Sequence, residues 1–278
     1  MKVFQHKSDL QKFLKTFNKN LIIGFIPTMG ALHEGHIKLL KEAKKKCNIS
    51  IVSIFVNSRQ FDNEKDFKRY PRKIDSDINV LKNVKCDILY CPDHTDLYEK
   101  NEKTKKFNFG SLTKNMEGRY RLGHFDGMAT VVEKLLNIIN PNYAFFGQKD
   151  LQQLQIVKSL VKQKKIDTKI IGIPTVRENN GLALSSRNKH LVGKNLQDAT
   201  LIYKCLIYCK KNQHLSINKL KTYVTEKFSK HEGFKLDYIE FVDLKTLNPI
   251  KVLGVKKQNA ICIAAYLNDI RLIDNIIL

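Results

Sequence analysis

Two histidines, His33 and His36, stand three residues apart in "PTMGALHEGH" (27–36), beside Gly30 and Gly35. An apolar run, "LIIGFI", precedes the stretch, and a helix-like pattern, "IKLLKEAKKK", follows it. The segment is therefore where a buried strand becomes a helix. Unpaired N–H groups and the helix dipole make such a point an anion site. Imidazoles add donors aimed at the same anion, and the glycines let a flat ligand approach the backbone. The simplest ligand is a nucleoside triphosphate, its base against the glycines and its phosphates against the histidines. The ordinary alternative is a helix cap with two incidental surface histidines.

Three further stretches supply complementary chemistry. "FFGQKD" (145–150) ends an apolar run and puts Lys149 and Asp150 at a helix start, one fit for phosphate and the other for ribose hydroxyls. As a plain helix start, Asp150 would be only an N-cap. "LSSRN" (184–188) offers Ser185, Ser186 and Arg187, two hydroxyls and a guanidinium suited to clamping a triphosphate. "FVNSRQF" (55–61) carries Asn57 and Gln60, neutral amides able to orient a hydroxylated substrate.

These residues need a scaffold, and the sequence reads as an alternating one. "LIIGFIP", "ISIVSIFV", "DILYC", "YAFFG" and "KIIGIPTV" are strand candidates. Between them Ile37, Leu40, Ala43 and Cys47 share a helical face, "DSDINVLKNV" is a helix with an acidic first turn, "GMATVVEKLLNII" is a helix stopped before Pro141, and 150–164 aligns Leu151, Leu154, Val157 and Val161. Strands buried on both faces and alternating with helices predict a parallel sheet with helices on both faces, joined by right-handed crossovers. Near residue 176 the rhythm changes. "RENNGLALSSRN" reads as a loop or hinge, then come helices over about 194–211 and 216–230, and strands "YIEFVDL", "AICIAAYL" and "RLIDNIIL", a small α+β unit. The expected domains are 1–175 and 176–278, and 99–108 reads as an exposed loop.

The 278 residues carry a net charge of +22. Only eight of the 49 basic residues are arginine, leaving 41 lysines, and Lys, Asn and Ile are abundant together. That is the mark of an AT-rich coding sequence, so the charge does not by itself argue for nucleic-acid binding, and no recognition-helix or RNA-binding signature accompanies it. No apolar run approaches the roughly 20 residues of a membrane span. The start "MKVFQHKSDL" lacks the apolar core of a signal peptide. The six cysteines form no CxxC pair and read as reduced and structural, with Cys205 and Cys209 sharing a buried face. A cytoplasmic enzyme with neither a nucleic-acid nor a membrane partner is expected.

The motifs, in order, resemble the pantoate–β-alanine ligase family: "PTMGALHEGH", "FVNSRQF", "RLGHFDGMATVVEKLLNIINP", "FFGQKDLQQL", "GIPTVRENNGLALSSRN", "YIEFVD" and "RLIDNI". The His33–His36 pattern alone would indicate only the wider nucleotidylyl-transferase group. The resemblance implies ATP-dependent condensation of pantoate with β-alanine through pantoyl adenylate, releasing pyrophosphate and AMP. It also implies magnesium bound with ATP, a homodimer, and a Rossmann-like ATP- and pantoate-binding domain with a smaller C-terminal lid; the polar character of "GLALSSRN" marks it as the hinge about which that lid is expected to close over ATP. By position it assigns ATP to Met29, Gly30, Ala31, Leu32, His33, Glu34, Gly35 and His36, to Gly147, Gln148, Lys149 and Asp150, to Val176, and to Leu184, Ser185, Ser186 and Arg187. His36 is the expected proton donor. Gln60 and Gln153 are expected on pantoate, with Gln60 also near β-alanine. The donors expected to carry catalysis are His33, His36, Lys149, Ser185, Ser186 and Arg187. Ser58, Gln148 and Leu122 depart from the usual Pro, Glu and Pro, which puts local loop geometry in question. The acidic cluster after "YPR" is thin (Asp75, Asp77), so no protein metal ligand is expected.

Overall fold

The computed structural model describes residues 1–253 and 258–278. The chain separates into two compact units. The first comprises residues 1–109, 121–148 and 153–174, and the second comprises 110–120, 149–152 and 175–278. The second unit thus takes in two segments that precede residue 175.

In the first unit the apolar runs become parallel strands: β1 (Lys2–Phe4), β2 (Ile23–Thr28), β3 (Ile49–Ile54), β4 (Ile88–Tyr90), β5 (Tyr143–Gly147) and β6 (Lys169–Ile173). Their order is β1-β4-β3-β2-β5-β6. Every pairing is parallel, so the C-terminal ends of neighbours β3, β2 and β5 lie along one edge. The connecting helices are α1 (Lys7–Leu14), α2 (Glu34–Lys46), α3 (Glu64–Arg69), α4 (Ile74–Asn83) and α5 (His94–Leu97). A short α6 (Glu117–Tyr120) belongs to the second unit, and α7 (His124–Ile139) and α8 (Leu151–Gln163) flank β5.

Both faces of the sheet are covered, as the near-continuous apolar strands require. Ile26, Val52, Leu89 and Phe145 pack with Leu39, Leu40 and Ala43 of α2 and Leu81 of α4. The alternate residues Phe25, Ile51, Ile88 and Ala144 are also buried, and α7 packs against β2. Cys47 is the C-cap of α2 and, half-buried, packs against the same core as that helix's apolar face. β1 and α1 were not legible: three residues of strand and eight of helix carry too little periodicity to stand out.

The second unit is an antiparallel sheet of β7 (Phe234–Asp243), β8 (Asn259–Leu267) and β9 (Ile270–Ile277), in the order β7-β8-β9. The expected helix over 194–211 is two, α9 (Lys194–Asp198) and α10 (Thr200–Lys211), meeting at Ala199, and α11 (Ile217–Ser229) follows. Cys205, Leu206 and Cys209 of α10 and Leu220, Val224 and Phe228 of α11 bury against Ile261, Ile263 and Ala265 of β8. A buried polar network ties in the early segments. Arg271 pairs with Glu117 at 2.6 and 2.8 Å and with Asp237 at 2.9 Å, and the Tyr238 hydroxyl donates to Glu117 at 2.9 Å. Gln152 accepts the Glu117 N–H at 2.9 Å and donates to the Leu112 and Asn115 carbonyls. Burial, then the Glu117 carboxylate, hold the Tyr238 phenol well above its ordinary pKa, so it remains an O–H donor.

The stretch 99–108 is free of helix and strand, yet it is not simply a solvated loop. Lys105 pairs with the buried Glu133 at 2.7 Å, and Glu102 pairs with Lys134 at 2.9 Å. No helix among the described residues is long and apolar enough to cross a membrane.

Candidate active site

At the end of β2, Thr28 donates its hydroxyl to the Ser53 carbonyl of β3 at 2.8 Å and accepts the Gly30 N–H at 3.1 Å. The chain then turns through Gly30 (φ 79°) and Ala31 (φ 51°), both left-handed. Glycine takes that conformation freely, and alanine takes it at a cost. The Ala31 and Leu32 N–H groups donate to the two carboxylate oxygens of Asp77, each at 2.8 Å. Asp77 stands in the acidic first turn of α4, as the sequence suggested, and lies buried under this turn.

His33 follows as the N-cap of α2. Its Nδ1 accepts the Gly35 N–H at 3.1 Å, and Nδ1 of His36 accepts the His33 N–H at 3.3 Å. The two rings stand 4.1 Å apart between centroids. Capping is ordinarily the work of short oxygen side chains. Here imidazoles do it, and the consequence is chemical. A ring whose Nδ1 accepts a backbone N–H carries its proton on Nε2 when neutral. Each neutral ring therefore carries its proton on Nε2, at a helix N-terminus that favours negative charge. The helix-cap reading of this segment is what the hydrogen bonds show.

Gln60 lies in the 3-10 turn Ser58–Gln60 that follows β3. Its Nε2 reaches Met29 Sδ at 2.8 Å, which joins it to the start of the histidine turn. Asn57 donates to Gln60 Oε1 at 3.3 Å and to the Gly127 carbonyl at 3.1 Å, and accepts the Tyr98 hydroxyl at 2.9 Å. Asn57, expected with Gln60 to orient substrate, is 1% exposed and already holds Gln60, the Gly127 carbonyl and the Tyr98 hydroxyl. The Gln60 carbonyl lies 2.6 Å from His124 Nδ1, and Arg121 reaches it at 3.4 Å. α7 approaches so closely that a Cβ at Gly127 would sit 1.9 Å from the Arg59 carbonyl oxygen. Sequence reasoning gave His124 and Gly127 no site role. The signal was their place in the "GHFDG" run, but neither periodicity nor charge distinguishes a helix that braces a turn.

At the neighbouring strand end, Gly147 closes β5 and Gln148 opens the 3-10 turn Gln148–Asp150. Gln153 stands partly buried on the first turn of α8. Of the three departures from the family pattern, Ser58 and Leu122 are exposed, Leu122 to 82%, and Gln148 is partly buried.

The second unit holds the other expected residues. The Lys149 carbonyl accepts the Asn275 side-chain amide at 2.8 Å, and its ammonium lies 3.6 Å from Asp150. The stretch read as a loop or hinge is ordered by its own hydrogen bonds. Leu184 N–H donates to the Val176 carbonyl at 3.0 Å, Glu178 N–H to Leu182 at 2.9 Å, and Arg177 bridges to Ala183. Gly181 (φ 91°) makes the turn, where a Cβ would strike the Tyr203 ring. Arg177 anchors the hairpin with a fork onto Asp274, at 2.5 and 2.9 Å, and onto the Asn275 carbonyl at 3.1 Å. Ser185 then caps the 3-10 turn Ser186–His190, accepting the Arg187 N–H at 3.3 Å. Lys149, Val176, Leu184, Ser185, Ser186 and Arg187 are thus all carried on segments tied to β9 or to the hairpin beside it.

A parallel sheet whose central strand runs into a glycine–histidine turn and a helix places the chain among open α/β proteins, whose ligand crevice lies beyond the carboxyl ends of the strands. The family model described as "Pantoate-beta-alanine ligase" matches residues 2–277. The pantothenate synthetase of Flavobacterium psychrophilum is 43% identical over 279 residues, 99% of each chain, and that of Buchnera aphidicola is 43% identical over 282 residues, 99% of this chain and 98% of the other. Among solved structures, pantothenate synthetase from Thermus thermophilus superposes with a TM-score of 0.91 at 33% identity, covering 99% of both chains. Pantoate-beta-alanine ligase from Francisella tularensis, complexed with beta-gamma ATP and beta-alanine, superposes with a TM-score of 0.84 at 38% identity, over 99% and 97%. The chain belongs to the pantoate–β-alanine ligase family.

Proposed function

We propose that this protein condenses pantoate with β-alanine to pantothenate, using ATP and passing through pantoyl adenylate. The observation that carries the mechanism is the pair of imidazoles at a helix N-terminus, each fixed by a backbone N–H on its Nδ1. A pantoate carboxylate oxygen attacks the α-phosphorus, and the bond to pyrophosphate breaks. Negative charge grows on the phosphoryl oxygens, so donors fixed before the reaction supply much of the rate. His36 gives the proton or hydrogen bond that the leaving oxygen needs, and His33 supports it. The β-alanine amine then attacks the acyl carbon, losing a proton, and the acyl–oxygen bond to AMP breaks.

Met29–His36, Gly147 and Gln148 are assigned to ATP, as are Lys149, Asp150, Val176 and Leu184–Arg187. Lys149, Ser185, Ser186 and Arg187 supply charge and hydroxyls for the phosphates. Gln60 and Gln153 hold pantoate, and Gln60 also meets β-alanine. The working division is residues 1–175 for ATP and pantoate, with 176–278 as a lid.

Magnesium accompanies ATP in this reading. Among the described residues no three His, Cys, Asp or Glu side chains are placed to hold a metal ion, and both Asp77 oxygens already accept backbone N–H groups. The donor set therefore fits a cation carried by the phosphates, where it offsets their charge, better than one caged by protein. Water-soluble substrates and six free cysteines suit work in the cytoplasm. A homodimer is the assembly expected of the family, and light scattering should return twice the chain mass.

The test is direct. Incubated with ATP, magnesium, pantoate and β-alanine, the protein should yield pantothenate and AMP in equal amounts, and omitting any substrate should abolish both. A product that keeps the nucleotide would instead place the chain with transferases that stop at nucleotidyl transfer.

A further inference from the structure

We infer that Asp77 is a positioning residue for the glycine–histidine turn, holding the donors of His33 and His36 in register for adenylation. The inference rests on the adenylation reading above and names what keeps that site rigid. Asp77 lies in the first turn of α4, 2% exposed, and spends one carboxylate oxygen on each of two successive N–H groups, those of Ala31 and Leu32. A carboxylate that receives two N–H bonds is a strong fork for backbone. The fork grips the turn where it most needs holding. Ala31 is left-handed at φ 51°, a conformation glycine adopts freely and alanine does not. One residue after the second gripped amide comes His33, whose ring and backbone set the cap that orients His36. The fit beneath the turn is close: a Cβ on Gly30 would lie 3.0 Å from both Asp77 Oδ2 and Ile54 Cγ2. A side chain placed only to favour the α4 dipole would have no reason to be buried under another loop.

Asp77→Asn keeps the side-chain volume and one acceptor but turns an NH2 donor toward one of the two N–H groups. Pyrophosphate exchange into ATP, with pantoate and without β-alanine, is followed in wild type and variant across a magnesium titration, beside thermal unfolding. Misplacing reacting groups by an ångström costs on the order of 10²-fold in rate. The exchange kcat should fall by that order, the KM for ATP should change far less, and the magnesium concentration for half-maximal rate should not move. Adding Ala31→Gly to Asp77→Asn should recover roughly tenfold, because glycine needs no grip to stay left-handed. An unchanged kcat with a lowered unfolding midpoint would make Asp77 scaffold only. A raised magnesium requirement, with full rate at high magnesium, would make it a metal holder; either result overturns the inference. Hydrogen exchange of the wild-type Ala31 and Leu32 amides tests the grip independently of activity. Strong protection is expected, and exchange as fast as in a free peptide contradicts it. A wild type that shows no exchange into ATP would refute the adenylation reading and leave that amide measurement to decide the grip.

Discussion

His36 accepts the His33 N–H through Nδ1, which places the proton of the neutral ring on Nε2. That predicts a separation of rate from binding. His36→Ala should lower the adenylation kcat by about 10²–10³, the usual cost of one donor aimed at transition-state charge. The KM for ATP should rise by much less, since the remaining loop amides stay in place. Steady-state pyrophosphate exchange reads both, and near wild-type turnover would remove His36 from the assignment. Arg187→Lys keeps the charge but loses the planar fork. It should slow adenylation and raise AMP above pantothenate as adenylate is lost to water. A ratio that stays at one to one with an unchanged rate would reduce Arg187 to a loop residue. At this scale the sequence exposes residue types and spacing well. What it hides is direction. Nothing in "HEGH" says that each Nδ1 faces a backbone amide, and nothing in "FVNSRQF" says that the Asn57 amide holds Gln60 and the Gly127 carbonyl.

Elements decide those directions. α7 closes on the Ser58–Gln60 turn through Gly127, with His124 on the Gln60 carbonyl. Gly127→Ala has no room for its methyl group. It should cost about 1–3 kcal/mol in urea unfolding, the usual range for overpacking, and raise the KM for pantoate as Gln60 is displaced. A change in stability with no change in that KM would separate the brace from the site. In the second unit, Arg271→Ala leaves the Glu117 carboxylate, 7% exposed, without its fork. Breaking such a buried pair costs about 3–5 kcal/mol, and chemical denaturation should show a loss of that size. The parallel strands were legible because most are short apolar runs between helical patterns, and the β7–β9 sheet because its strands are longer and carry apolar runs. β1 was not, because an edge strand of three residues has no period. The division near 175 that composition suggests could not reveal that 110–120 and 149–152 pack with the later chain. Their ties are Glu117 to Arg271 and the Lys149 carbonyl to Asn275, pairings more than a hundred residues apart that local pattern cannot see.

Over the whole molecule, two bulk properties find physical explanations. Burial pushes the thiols of Cys86 and Cys205 up to about 11 and those of Cys91 and Cys209 up to about 12. Near pH 8 almost none is thiolate, so a thiol-specific reagent should modify the buried Cys86, Cys205 and Cys209 only as fast as the protein unfolds. Rapid modification in the folded state would contradict their burial. The surplus of lysine is spread over solvated faces, and part of it neutralises buried carboxylates, as Lys105 does for Glu133. The central claim remains chemical: ATP is activated at the α-phosphorus by pantoate before any amine arrives. Labelled pyrophosphate incubated with the protein, ATP, magnesium and pantoate, without β-alanine, measures it. The account predicts that label enters ATP only when pantoate is present. Pantothenate formed in the complete mixture while no label enters ATP under these conditions would contradict it.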